Sequence, residues 1–223
     1  MPTDSLRVLQ YGLGPIGQAV ARTVLEKEPL TLVGAVDIDP DKAGRDVADL
    51  VDGEASSTGV HVSDDAESAL ADTAPDVVLH TTTSFLEGVT EQLVQCVRAG
   101  AHVVSSTEEL SFPHHRSPDT ADRLDQVARA EGVALVGTGV NPGYAMDTVP
   151  LMATAGCTDV RAVHVERVVD AGERRAPLQA KVGAGLSPQA FEEKKERGGF
   201  GHVGLRESLR LVADELGWPV EDI

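Results

Sequence analysis

Gly12-Leu13-Gly14-Pro15-Ile16-Gly17 follows directly on Leu6–Tyr11, a short apolar run broken by Arg7 and Gln10. Such a run reads as a buried strand, and Ile16, Val20 and Val24 behind it recur at i, i+4 and i+8, one apolar face of a helix. A strand, a glycine turn and a helix in that order cradle a pyrophosphate. Gly12 permits the tight turn, Gly14 lets the backbone approach the phosphates, and Gly17 lets the helix pack closely on the strand. Pro15 costs little at a helix start, where its missing N–H would lie among unpaired donors. Thr31–Val36 reads as the next strand and ends at Asp37, twenty residues after Gly17. At that spacing a carboxylate reaches the ribose hydroxyls of a dinucleotide. NAD or NADP is therefore the expected cofactor. Asp37 repels a 2′-phosphate and so favours NAD, while Lys42 and Arg45 are the cations that would compensate one.

The elements that must position this turn follow in alternation. A short strand is expected around Gly59–Val62, a helix over Ala66–Ala74 and a buried strand over Asp76–Thr81. Glu87–Ala99 is the next helix, with Val89, Leu93, Val94 and Val97 inward and Gly100 closing it. His102–Ser105 is a strand, Pro118–Glu131 a helix stopped by Gly132, and Val133–Val136 the last strand of this half. Strands alternating with helices of this length imply a Rossmann-type α/β fold, a parallel sheet with helices on both faces. Ligands then bind outside the strand C-terminal ends. That singles out the loops Thr81–Phe85, Ser105–Pro113 and Gly137–Asp147. Thr81, Thr82 and Thr83 are candidate cofactor contacts. Asn141 is another, and Tyr144 a candidate substrate contact, although Asn-Pro-Gly is also a common turn sequence.

After Asp147 the character changes, and the chain divides into a dinucleotide-binding domain, 1–147, and part of a second α+β domain, 148–223. A helix-like stretch runs to about Ala155, and Val160–Val169 reads as a strand without a neighbour in sequence. Ser187–Glu196 suits a helix with Ser187 as N-cap and Pro188 at its first position. Leu205, Leu209, Val212 and Leu216 mark the apolar stripe of another. A lone strand cannot form a stable sheet, so the expectation is that further strands of this domain lie beyond Ile223.

Composition narrows the function classes. The 223 residues carry 36 acids against 19 Lys plus Arg, a formal charge of −17, which excludes nucleic-acid binding through a general basic surface. The acids are spread over every segment, as on a solvated surface suited to high salt. No charged-then-apolar leader and no bilayer-length apolar run occurs, so a cytoplasmic protein without membrane contact is expected. Cys96 and Cys157 have no metal-type spacing, and no metal is expected.

GLGPIG, HTTTSF, SSTEEL, GTGVNPGYAMD and RRAPLQAKVGAG…GGFGHVGLRES together resemble the 2,4-diaminopentanoate dehydrogenase and native amine dehydrogenase family, which shares the plan of dihydrodipicolinate reductases. The resemblance runs over essentially the whole chain and implies NAD(P)H-dependent reductive amination of a ketone or aldehyde with ammonia, and the reverse deamination of an amine or diamine. It also implies a homodimer, and it puts the family's catalytic glutamate on Glu108, the first acid of SSTEEL. A carboxylate suits that reaction, because it can deprotonate ammonium, shuttle carbinolamine protons and stabilise a cationic iminium. The competing reading is structural: Ser105-x-x-Glu108 and Ser106-x-x-Glu109 both fit a capping box. With Glu108 in the catalytic role, replacing Glu109 is expected to be mild. His202 of GHVGL is a candidate substrate contact or a hydrogen-bonded structural histidine, and Lys181 is a weaker candidate beside its reading as a solvated lysine. His114-His115-Arg116 lacks the companions of the reductases' paired-histidine motif and reads as loop. Two alternatives stay open: reduction of a cyclic imine without ammonia, and dinucleotide binding without catalysis.

Overall fold

The computed structural model describes residues 5–51, 57–174, 176–197, 201 and 203–220. Its first part runs β1 (Leu6–Tyr11), α1 (Pro15–Glu26), β2 (Leu30–Val36), β3 (Val62–Ser63), α2 (Ala66–Thr73), β4 (Val77–His80), α3 (Thr90–Arg98), β5 (His102–Ser105), α4 (Pro118–Glu131) and β6 (Leu135–Gly137). The strands form one parallel sheet in the order β3-β2-β1-β4-β5-β6. This is the Rossmann-type arrangement expected. The order reverses between β1 and β4, so the loops leaving those two strands diverge and open a crevice at the sheet's C-terminal edge.

Alternation along β1 feeds both faces of the sheet. Val8 packs with Leu32 of β2, Val62 of β3 and Ala21 and Val24 of α1. Leu9 and Tyr11 join the opposite cluster with Leu93, Val94 and Val97 of α3 and Leu124 and Ala128 of α4. Val89, Leu93, Val94 and Val97 are all buried, as their spacing predicts. Cys96 is buried beside them, and burial pushes its thiol up to about 12, which makes it an inert core group.

Several expected boundaries move. α3 begins at Thr90, not Glu87, because residues 86–89 form a turn whose Leu86 carbonyl accepts the Thr90 hydroxyl at 2.8 Å. The strand placed at Gly59–Val62 joins the sheet only over Val62–Ser63, with His61 bridging Asp46 instead, and the last strand lies at Leu135–Gly137. α1 does not bury the Ile16, Val20, Val24 stripe: Gly17, Ala21 and Val24 face the sheet, and Ile16 is 50% exposed. Close approach at Gly17 decides which face turns inward, and that overrides the larger side chains.

The second part holds α5 (Thr148–Thr154), α6 (Ala176–Val182), α7 (Pro188–Glu196) and α8 (Leu205–Glu215). Ser187 caps α7 as expected, its Oγ accepting from Ala190 N at 3.3 Å. Val160–Val169 is not a strand; it makes no ladder with any described segment, and an extended run becomes a strand only through a partner. α6 is a short helix between that run and α7. α8 also turns differently from its leucine stripe. Glu207, Ser208, Val212 and Ala213 are buried, while Leu205 and Leu209 are nearly half exposed and line a shallow groove with Val163, Val165 and Trp218. No helix among the described residues is long and apolar enough to cross a membrane.

Candidate active site

Steric contacts show why the glycine turn is made of glycines. A Cβ on Gly17 would lie 1.9 Å from the Gly12 carbonyl oxygen, and one on Gly12 would lie 2.6 Å from that of Thr81. A Cβ on Gly14 would meet nothing within 4 Å. The two packing glycines are thus sterically required, and the middle one leaves open space where a phosphate approaches. Gln10, fully buried at the end of β1, donates from Nε2 to the Gly12 carbonyl at 2.9 Å and to Thr81 Oγ1 at 2.8 Å. Thr81 Oγ1 in turn donates to the Gly12 carbonyl at 2.9 Å, so the loops after β1 and β4 are tied together. Asp37 sits at the same turn, accepting from Leu13 N at 2.6 Å, with Lys42 Nζ 3.1 Å from its carboxylate. Lys42 also pairs with Asp39 at 3.2 Å. Burial pulls the ammonium pKa down, but these two carboxylates outweigh it and hold it above its ordinary value. The turn thus leaves room at Gly14 for a dinucleotide's phosphates, with a cation beside Asp37.

A cleft of about 780 Å³ opens at the reversal between β1 and β4. It is lined by Ile16 and Val20 of α1, by Thr81, Thr82, Thr83 and Ser84 after β4, and by Ser105, Ser106 and Glu108 after β5. Thr138–Pro142 after β6 and Arg167, Glu173, Arg174 and Leu178 from the second part complete it. The Asn141–Pro142 peptide is cis. Ile16, Thr81, Thr82, Thr83, Glu108 and Asn141 are thereby brought into one space.

The two acids of SSTEEL part company. Both lie in a short 3-10 turn, Glu108–Ser111, whose N-cap Thr107 makes no side-chain cap, so neither capping box forms. Ser105 instead accepts from Thr107 N at 3.2 Å. Glu108 is half-buried and lines the cleft, and its carboxylate makes no hydrogen bond or ion pair among the described residues. Glu109 is buried, accepts from Leu86 N at 2.9 Å and lies 3.1 Å from Arg116 Nε. Arg116 also reaches buried Glu207 of α8 at 3.7 Å. These contacts give Glu109 a part in stability, apart from the expectation that its replacement is mild for turnover. Glu109 helps to fasten the turn that carries Glu108.

α8 closes on the same turn. A Cβ on Gly204 would lie 2.4 Å from Pro142 Cδ and 3.1 Å from Glu108 Cβ, so only glycine lets the helix start so close. Fully buried Asp147 accepts from Gly143 N at 2.8 Å, Ser208 Oγ at 2.7 Å and Thr148 N at 2.5 Å. Burial pushes this carboxyl up, but those hydrogen bonds prevail and hold it below its ordinary value.

Residues 6–142 match the N-terminal part of dihydrodipicolinate reductase, more than half of the chain. The chain belongs to the dihydrodipicolinate reductase-like family. Residues 144–223 match the 2,4-diaminopentanoate dehydrogenase C-terminal domain, which bears out the resemblance carried by the motifs. A 2,4-diaminopentanoate dehydrogenase of Acetoanaerobium sticklandii is 29% identical over 96% of this chain and 61% of its own length. An amine dehydrogenase of Streptomyces virginiae is 25% identical over 96% of the chain and 60% of its length. The solved structure of an amine dehydrogenase from Mycobacterium smegmatis superposes with a TM-score of 0.79 at 27% identity, covering 97% of this chain and 63% of that one. The chain thus spans about three-fifths of the length of these relatives.

Tyr144 and Lys181 fall away from the cleft. Tyr144 is 58% exposed and does not line it. His202 lies outside the described residues. Lys181 is on α6, away from the lining. His114 and His115 stay in a turn against the Phe112 ring, at centroid distances of 5.6 and 5.9 Å. No metal-holding group of His, Cys, Asp and Glu occurs among the described residues. Sequence reasoning missed Arg116, Asp147 and Gly204. The only trace of them was membership in motifs already noted: HHR, GYAMD and GHVGL.

Proposed function

We propose that this chain forms the dinucleotide-binding and acid–base parts of an NAD(P)-dependent amine dehydrogenase. It would interconvert a small amine or diamine with the matching ketone or aldehyde and ammonia. The single observation that carries this reading is the split between the paired glutamates. Glu109 is consumed by structure, while Glu108 stands in the cleft beside the Thr81–Thr83 loop with its carboxylate unengaged among the described residues.

In this reading residues 1–147 bind the dinucleotide. Gly14 gives the phosphates access to the backbone, Asp37 takes the ribose hydroxyls, and Thr81, Thr82, Thr83 and Asn141 border the nicotinamide end. The bound cofactor supplies hydride transfer. Glu108 takes a proton from ammonium, passes protons to and from the carbinolamine oxygen as water leaves, and offsets the positive charge of the iminium. Asp37 favours NAD, and Lys42, held beside it, keeps NADP within reach. Arg167 and Arg174 at the cleft wall favour a substrate with an anionic group away from its amine. The relative from Acetoanaerobium sticklandii is named for such a compound, 2,4-diaminopentanoate.

The test is a panel of amines, diamines and amino acids with NAD⁺ or NADP⁺, followed at about 340 nm, a property of the reduced cofactor. Oxidation of an amine, with an ammonia-dependent reverse reaction, is expected. Reduction of a cyclic imine without ammonia, or NADH binding with no amine oxidised, would overturn the reading.

A further inference from the structure

We propose that His80 is the positioning residue for Glu108, holding the turn that carries the carboxylate by a buried hydrogen-bond chain through Ser105 and Thr107. This rests on the reading of Glu108 as the acid–base group.

His80 ends β4, at the point where the sheet order reverses, and is fully buried. It is not part of the cleft lining, so it cannot touch substrate there. Both ring nitrogens are nonetheless engaged. Nδ1 lies 3.0 Å from Ser105 Oγ at the end of β5. Nε2 lies 2.9 Å from Gln92 Oε1 of α3 and 3.3 Å from Thr82 Oγ1. Ser105 Oγ is 3.1 Å from Thr107 Oγ1, and Thr107 is the N-cap of the Glu108–Ser111 turn. The His80 carbonyl accepts from Ser106 N at 3.0 Å, a second tie to the same loop. The ring itself is seated against Tyr11, with centroids 5.2 Å apart.

An apolar side chain would fill this space without the cost of burying a polar ring. What it would lack is the two-ended link between α3 and the β5 loop. The turn makes no side-chain cap of its own. Its start is therefore oriented by what holds Ser105 and Thr107, while Glu109 fastens the residue beyond Glu108. Burial lowers the imidazole's pKa and keeps it neutral, and a neutral ring offers one donor and one acceptor. A shift of under an ångström at Thr107 is enough to misplace Glu108 against a reacting carbon.

Asparagine and glutamine separate the two ends of the ring. In place of His80, Asn mimics Nδ1 and keeps the Ser105 link, whereas Gln mimics Nε2 and keeps only the Gln92 link. The experiment compares His80→Asn, His80→Gln, Ser105→Ala and Glu108→Gln with the parent protein. The readouts are Tm, NADH affinity by fluorescence, amide exchange over residues 107–111, and turnover of 2,4-diaminopentanoate with NAD⁺. His80→Gln and Ser105→Ala should speed exchange in the turn and lower kcat by about 10–100-fold with NADH affinity unchanged. His80→Asn should lose comparable Tm yet keep the turn protected and kcat near the parent's. Equal kcat losses in both His80 variants that follow Tm, or unchanged exchange in His80→Gln and Ser105→Ala, would overturn the proposal. Should Glu108→Gln retain turnover while His80→Gln opens the turn, the catalytic reading fails and the positioning stands. If Glu108→Gln abolishes turnover and His80→Gln does not lower it, the positioning alone fails.

Discussion

Replacing Asp147 should loosen α8 from the NPGY turn and the start of α5. Its carboxylate is fully buried and serves four donors: Gly143 N in the NPGY turn, Thr148 N and Oγ1 at the start of α5 and Ser208 Oγ on α8. Alanine would remove a helix cap, about 1 kcal/mol, together with charge-assisted hydrogen bonds of roughly 1.5–3 kcal/mol each that do not add fully. A total of about 3–5 kcal/mol follows, a large share of the roughly 5–15 kcal/mol that holds a typical domain folded. Asparagine is the sharper probe. Its amide oxygen can serve Gly143 or Thr148, but its NH₂ must then face another donor, which costs about 1–3 kcal/mol. Denaturation midpoints, with amide exchange mapped over residues 141–148 and 205–213, are the assay. The pH dependence has a definite sign. Because the native carboxyl titrates below 3.8, its contribution is complete above that value and is lost as pH falls through the lower native pKa. Asp147→Asn should lack that acid-linked part. A variant within about 0.5 kcal/mol of the parent, the range of an ordinary surface change, with unaltered exchange would refute the reasoning.

Asp37→Ala should weaken NADH binding by roughly 1.5–3 kcal/mol, through a lost charge-assisted hydrogen bond, and narrow the gap to NADPH, since Lys42 would then keep only one of its two carboxylate partners, Asp39. Isothermal titration with both cofactors measures it, and unchanged affinities would dismiss the role. Arg116→Ala leaves Glu109 and Glu207 buried without their shared cation. Breaking a fully buried pair costs about 3–5 kcal/mol, and the half-exposed arginine brings the expected loss to about 1–3 kcal/mol in a denaturant titration.

Local chemistry made much of the sheet legible. Pro118 and Gly132 bound α4 to the residue, and β5 falls on its expected span because both depend on neighbours in sequence. What failed to show was non-local. Apolar count pointed α1 through Ile16, but the 1.9 Å approach at Gly17 turned Ala21 inward. Leucines pointed α8 through Leu205 and Leu209, but Glu207 and Ser208 face inward because Arg116 and Asp147 wait for them there. Val160–Val169 has the composition of a strand, and composition does not supply a partner. For the candidate site, the glycines and Asp37 are legible because their spacing along the chain sets the turn they share. The division of labour between Glu108 and Glu109 is not. Adjacent residues of one type differ only in which way the turn faces them, and Leu86 and Arg116, which decide it, are remote from one another in sequence.

Glu108 is tested most directly by comparing Glu108→Gln with Glu109→Gln in amine oxidation and in NADH binding. Glutamine keeps the size of the side chain and removes its charge and basicity. Glu108→Gln should bind NADH normally, melt close to the parent and lose about 10²–10⁴-fold in turnover, the usual contribution of a positioned acid–base group. Glu109→Gln should instead lose stability, with turnover per folded molecule far less affected. Near-normal amine oxidation by Glu108→Gln, or a greater loss of turnover per folded molecule in Glu109→Gln, would contradict the account.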